Sequence, residues 1–200
     1  MVTGDIVLRR AIIGGLFCAG ALSAASALGV YLDFEQPPSP AALNAMRKEA
    51  EGVLKRAGIR IAWRLVSENQ GNEPFERLAV VRFTGKCACG SLLQSTREVL
   101  VLGTTEVVDG RVLPYSQVRC DSVRRLMPDI EYSSNRATGN AALGKVLARV
   151  LAHELYHSVL GATHHTAAGL AKGFQSIEDL KSGEVGFYAG DWELSTPAVK

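Results

Sequence analysis

The sequence predicts an α+β domain in which a small, mainly antiparallel sheet packs on one central helix. Three observations carry this. Apolar residues recur at helical spacing through Leu143, Val146, Leu147, Val150, Leu151, Leu155 and Leu160, which marks one helix with a wide apolar face. Upstream, Ile59, Ile61, Trp63 and Leu65 alternate with Arg60, Ala62 and Arg64, the period of a half-buried strand. Asp109-Gly110 then separates two apolar runs, the strongest short-range hairpin signal. With 200 residues, 47% hydrophobic and 21% charged, the chain is long enough to bury one core without staples. The net charge of +2 comes without any basic stripe interleaved with aromatics, which argues against nucleic acid as a partner.

The first 27 residues are set apart from the domain. Arg9 and Arg10 form a basic flank, Ala11 to Ala25 is apolar, and Ala25-Ser26-Ala27 fits a signal-peptidase site. Because Ala11 to Leu32 carries no charge, an uncleaved signal anchor is the rival reading; its Gly, Ala and Ser content makes a poor membrane span. Cys18 follows Phe17, where a lipidated cysteine needs a small residue before it. Either reading carries the downstream domain across the membrane, since the positive flank stays inside. The expected location is extracytoplasmic, periplasmic or secreted, with membrane attachment only through an uncleaved leader. Residues 28–40 read as a linker ending in Gln36-Pro37-Pro38-Ser39-Pro40, and residues 41–200 as the domain.

Loss of the leader removes Cys18 and leaves Cys87, Cys89 and Cys120. Outside the cytosol this count implies one bridge and one further thiol. Cys87 and Cys89 are too close to pair with each other, so Cys120 is expected to bond one of them. A thiolate metal site is disfavoured because no further Cys pair completes it.

Ser39 and Pro40 open a helix, a cap followed by a proline whose missing N–H costs nothing there. Leu43, Met46, Ala50, Val53, Leu54 and Ala57 form its stripe, and Gly58 suits its end. Leu78 to Phe83 reads as a strand, and Val99 to Val108 with Val112 to Val118 as the hairpin arms.

The segment that carries chemistry runs from Asn140 to His165 and contains His153-Glu154-Leu155-Tyr156-His157. A spacing of four puts both imidazoles on one helix face about a turn apart, where both reach a single ion. Glu154 lies on an adjoining face, free to move protons without ligating. An open zinc site brings the pKa of its water towards neutrality, and a neighbouring carboxylate then takes the proton during attack on a polarised carbonyl. The bland reading is a charged helix face with surface histidines. Against it, all four histidines lie between His153 and His165, and the motif sits in an apolar helix where unpaired imidazoles are costly to bury.

The pattern His153-Glu154-x-x-His157-x-x-x-Gly161-x-x-His164 resembles the zincin metallopeptidases, and most their metzincin branch, with a glycine turn and then a third histidine ligand. That resemblance implies a zincin-like fold, zinc, Glu154 as general base, hydrolysis of a peptide or protein substrate, and a cleft under an antiparallel edge strand, for which the Asp109-Gly110 hairpin is the candidate. It covers Asn140 to about Lys172. The chain is also similar to small exported bacterial proteins with a His-Glu-Leu-Tyr-His helix and a downstream Gly-x-Ala-Lys, here Gly169 to Lys172. Two departures stand out. Three residues rather than two precede the glycine, and no methionine follows Met127, so the methionine turn beneath the metal is absent.

The metal set expected from the sequence is therefore His153, His157 and His164, with His165 and then Glu178 or Asp179 as substitutes in the third place. Tyr156 reads as packing, Tyr188 as an unsupported oxyanion partner and Lys172 as a solvated cation. Ser158 lacks a nucleophile elbow. The competing function is a non-catalytic exported zinc-binding or envelope interaction protein, favoured by the short stretch after His164.

Overall fold

The computed structural model describes residues 27–73, 75–90, 99–131, 135–173, 175–182 and 186–187. The leader, apart from Ala27, and Tyr188 lie outside them. The chain is α+β: β1 (Leu28–Phe34), α1 (Pro40–Arg56), β2 (Ile61–Leu65), β3 (Leu78–Thr84), β4 (Gly103–Val108), β5 (Arg111–Arg119), α2 (Cys120–Arg125), α3 (Pro128–Glu131), α4 (Arg136–Leu160) and α5 (Ile177–Lys181). A single 3₁₀ turn, Val66–Glu68, follows β2.

The five strands form one sheet in the order β2-β1-β3-β5-β4. This corrects the expectation of a mainly antiparallel sheet. β1 pairs in parallel with both β2 and β3, β3 pairs in parallel with β5, and only the β4–β5 hairpin is antiparallel. The reason is connectivity. The helix between β1 and β2 is a crossover that returns the chain in the same direction, whereas only the Asp109-Gly110 turn is short enough to reverse it. Both turn residues have positive φ (50° and 74°), as a tight hairpin demands.

The linker assigned to residues 28–40 is also corrected. Its first half is β1, an interior strand of the sheet that lies between β2 and β3. Leu28, Val30 and Leu32 face the core and Tyr31 is buried on the other face. Such a strand reads as an unbroken apolar run, which merges with the apolar leader before it. The proline-rich half does connect β1 to α1, and Ser39 caps that helix by accepting from the Ala42 amide.

Helices α1 and α4 cover the core face of the sheet. Met46, Ala50 and Leu54 of α1 meet Leu143, Leu147 and Leu151 of α4 above Val30, Val81 and Phe83. The two helices touch closely at Gly144, where a Cβ would lie 2.2 Å from the Ala42 carbonyl oxygen. Helix α4 spans 25 residues, is capped by Asn135 and ends at Gly161 with φ 64°. Cys87 pairs with Cys120, which tethers the loop after β3 to the start of α2. Cys89 keeps its thiol in the core, and its amide donates to Asn140 of α4 at 2.7 Å. No helix among the described residues is long and apolar enough to cross a membrane.

Candidate metal centre

The C-terminal half of α4 presents His153 and His157 one turn apart, with the rings in edge-to-face contact, centroids 4.9 Å apart. Each ring is oriented by a main-chain carbonyl. His153 Nδ1 lies 2.6 Å from Leu170 O, and His157 Nδ1 lies 2.7 Å from Ala162 O. The second of these follows from the helix end: left-handed Gly161 turns the chain back, so the next carbonyl points at the last imidazole of the helix. A carbonyl only accepts, so both rings hold their proton on Nδ1 and carry a lone pair on Nε2. The two Nε2 atoms nevertheless face each other at 3.2 Å. Two opposed lone pairs at that distance repel, and a cation between them turns repulsion into ligation.

The third member is His165, whose Nε2 is 3.2 Å from His157 Nε2. Its ring stacks on His153 at an interplanar angle of 16°. The ligand atoms of His153, His157 and His165 all lie within 4.8 Å of one another, a group able to hold a metal ion. His164, the residue expected from the sequence, is not in the group; its Nε2 is 3.5 Å from the Tyr156 hydroxyl instead. His165, the substitute named from the sequence for the third place, is the ring that returns to the helix face. Neither carboxylate of α5 joins the group. Asp179 caps α5 and binds Lys172 at 2.7 Å, so Lys172 is paired with a carboxylate, and Glu178 is not among the grouped side chains.

Glu154 is 4% exposed and lies against β4 rather than among the imidazoles. Thr105 Oγ1 donates to its Oε2 at 2.7 Å. On the other side, a Cβ on Gly103 would approach Oε1 to 2.5 Å. The first two residues of β4 that face the helix thus form a seat for the carboxylate. Burial pushes the Glu154 pKa up to about 7, against a smaller lowering by Thr105. Burial also pulls His153 down to about 4, and lowers His157, each partly offset by its carbonyl partner. Desolvation disfavours whichever form is charged, so both imidazoles stay neutral and able to ligate at neutral pH.

A hollow of about 330 Å³ runs along β4 past Thr105, Glu154, His157 and His165. It adjoins a second, of about 410 Å³, walled by Leu100, Leu102, Leu126, Val150 and Ile177 and sharing His153 and Glu154. Ser158 is back-bonded to Glu154 O at 3.1 Å, and Tyr156 is fully buried beside Phe187; both are structural. Sequence reasoning missed Thr105, Gly103 and the carbonyls of Ala162 and Leu170. Carbonyl acceptors leave no trace in side-chain identity, and the only hint at Gly103 is a glycine inside the strand expected over Val99 to Val108. Comparison with protein-family models, with curated proteins and with solved structures finds no match.

Proposed function

We propose that the protein is an exported zinc-dependent peptidase that hydrolyses a peptide or related amide bond. The observation that carries this reading is the convergence of three Nε2 atoms, two of them locked as lone-pair donors, beside a buried carboxyl that does not join them. Separations of 3.2 Å fit a tetrahedral zinc site, in which ligands at about 2.05 Å stand about 3.3 Å apart. Among the described residues the group is three histidines with no fourth member, which matches the donor set of a catalytic rather than a closed structural zinc.

When bound, zinc supplies Lewis acidity towards a carbonyl and acidity to a water. The remaining work belongs to the chain. Glu154, held by Thr105 and Gly103, takes the proton of the attacking water and returns it to the leaving amine. Its raised pKa suits a group that must do both near neutrality, and a nearby cation keeps it ionised at the start. Among the described residues β4 is the edge strand of the sheet and is antiparallel to β5, the position from which a strand can align an extended peptide. The hollow beside His153 and Glu154 is mainly apolar, with Arg149, Gln175 and Ser176 also on its wall, and its apolar part suits an uncharged side chain next to the scissile bond. Export is supported by the Cys87–Cys120 bridge together with the leader-like N-terminus.

The test is zinc quantification and peptide turnover on purified protein and on Glu154→Gln. The expected outcome is stoichiometric zinc in both and turnover only in the wild type. Full activity in the variant would overturn the role of Glu154; zinc without turnover in either would favour a metal site that serves structure or binding.

A further inference from the structure

The segment after the histidines, residues 166–173, packs against the metal centre. It is short of regular structure: a single bridge between Thr166 and Lys172, with the Thr166 amide donating to Ala171 O at 3.0 Å, is its only ladder contact among the described residues. Yet it touches two of the three grouped histidines. Leu170 O orients His153 at 2.6 Å. At the other end Gly173 lies flat against His165, where a Cβ would come within 3.0 Å of the ring. A segment that sets the positions of two imidazoles has to be held by something.

Leu170 is packed with Val53 and Ala152 and its amide donates to Gly186 O at 3.1 Å, but the side chain that gathers the carbonyls of the segment is Gln175. Its Nε2 lies 3.2 Å from Gly169 O, 3.1 Å from Leu170 O and 3.0 Å from Lys172 O. Two N–H donors are thus spread over three converging carbonyls, and one of those carbonyls is the acceptor of His153. Residue type matters here. A carboxylate would bring negative charge against three carbonyl oxygens, an apolar side chain would leave them facing one another, and asparagine is a methylene short. Gln175 itself is anchored. It directly precedes Ser176, whose capping box with Asp179 starts α5, and Asp179 reaches back to Lys172 on the same segment. The end of α5 is fastened to α4 by Arg149, which donates to Leu180 O and Ser182 O one turn before His153. The circuit from α4 through α5 and Gln175 to Leu170 O closes on the same helix that carries His153.

We infer that Gln175 is a positioning residue of the metal centre, fixing the Leu170 carbonyl behind His153 and the backbone behind His165. The inference rests on the metal reading above and is independent of peptidase activity. Outer partners of ligating histidines are typically worth about ten- to hundredfold in metal affinity.

The experiment is zinc affinity by competition with a chromophoric chelator, and the visible spectrum of the cobalt(II)-loaded protein, for wild type, Gln175→Met and Gln175→Asn. Metal-free thermal unfolding is followed in parallel. Gln175→Met is expected to lose about tenfold or more in zinc affinity and to change the cobalt spectrum, with Gln175→Asn between it and wild type. Wild-type affinity and spectrum in a folded Gln175→Met protein would overturn the assignment. Should Gln175→Met fail to fold, unchanged affinity and spectrum in Gln175→Asn overturns it equally. A wild-type protein that takes up no zinc or cobalt would remove the metal reading and this inference together, whereas equal binding by all three proteins would remove only the role of Gln175.

Discussion

Thr105 of the edge strand donates a hydrogen bond of 2.7 Å to the Glu154 carboxylate of the central helix, so the strand that would align a substrate also sets the proposed base. The Thr105 hydroxyl lies a further 2.9 Å from Ser116 Oγ. With its proton committed to Glu154, Thr105 receives one from Ser116, and the pair forms a short relay ending on the carboxylate.

Thr105→Val removes that donor while keeping the side-chain shape. Burial already raises the Glu154 pKa to about 7 and Thr105 opposes the rise, so the variant's Glu154 should titrate higher still. The expected outcome is a turnover profile whose acid limb moves to higher pH, with zinc content unchanged. Stability should fall by about 1–3 kcal/mol above that pKa, where an ionised carboxylate is left without its partner. Carboxyl carbon NMR of the metal-free protein measures the first effect and urea unfolding the second.

The histidine pair at the loop separates by substitution. His165→Ala should abolish stoichiometric zinc, as should His153→Ala and His157→Ala, because each removes one of the grouped Nε2 atoms. His164→Ala should keep it, since that ring sits by the Tyr156 hydroxyl. Metal analysis after dialysis decides. Zinc retained by His165→Ala but lost by His164→Ala would restore the assignment expected from the sequence.

The pH dependence of the metal-free protein has a definite sign. Between the ordinary 4.5 and about 7, native Glu154 holds a proton that the unfolded chain has released, so its contribution falls as pH rises through that window. For His153 the unfolded chain binds a proton below 6.5 that the native ring refuses until about 4, and His157 shifts in the same direction. Their contribution is full above the unfolded value and is lost as pH falls. Two imidazoles outweigh one carboxyl below that value, and above it only Glu154 acts. Denaturation midpoints of metal-free protein should therefore peak near pH 6.5, in the range of the unfolded histidines. A midpoint still rising steadily to pH 8 would contradict the buried, raised carboxyl.

How far the sequence could be read depended on whether each feature was local. The α4 stripe, the Ser39-Pro40 start and the Asp109-Gly110 turn are short-range signals, and each appears at or within a few residues of its expected place. The pairing His153–His157 is local too, fixed by helix geometry. Strand order is not. That β1 lies between β2 and β3 depends on contacts far apart in sequence, and its apolar run looked continuous with the leader. The choice between His164 and His165 is not legible in the sequence for a related reason: neighbouring positions on a loop differ only in which way the backbone turns, and the two side chains are chemically identical. The supports of the centre, Leu170 O, Ala162 O and the Gly103 contact, are backbone features that no residue type announces.

Gly144 tests the packing that holds α4 in place. By helix propensity alone, Gly144→Ala should stabilise α4 by about 1 kcal/mol. The contact overrides it, because the new Cβ would stand 2.2 Å from the Ala42 carbonyl oxygen, a backbone atom of α1 that cannot rotate away. Forced separation of well-packed helices costs typically about 1–3 kcal/mol, so the net change should be destabilising. For a domain of this size each kcal/mol lowers Tm by about 2–4 °C. Thermal unfolding of Gly144→Ala beside Gly52→Ala, where the added methyl meets nothing within 4 Å, isolates the steric effect. Gly52→Ala should raise Tm while Gly144→Ala lowers it.

The disulfide gives the last test. Cys87 and Cys120 are separated by 33 residues, and closing a loop of that length restricts the unfolded chain by about 3–4 kcal/mol. Replacing both by alanine should cost about that much, together with a smaller loss of core packing, since both are buried against α4. The loop they close contains all of β4, so the cost should not stop at global stability. With the bridge gone, amide exchange in β4 should accelerate more than in β1 or β3, and the Thr105–Glu154 contact should open with it. Urea unfolding combined with hydrogen exchange distinguishes the two effects. Reducing agent on the wild type should reproduce them.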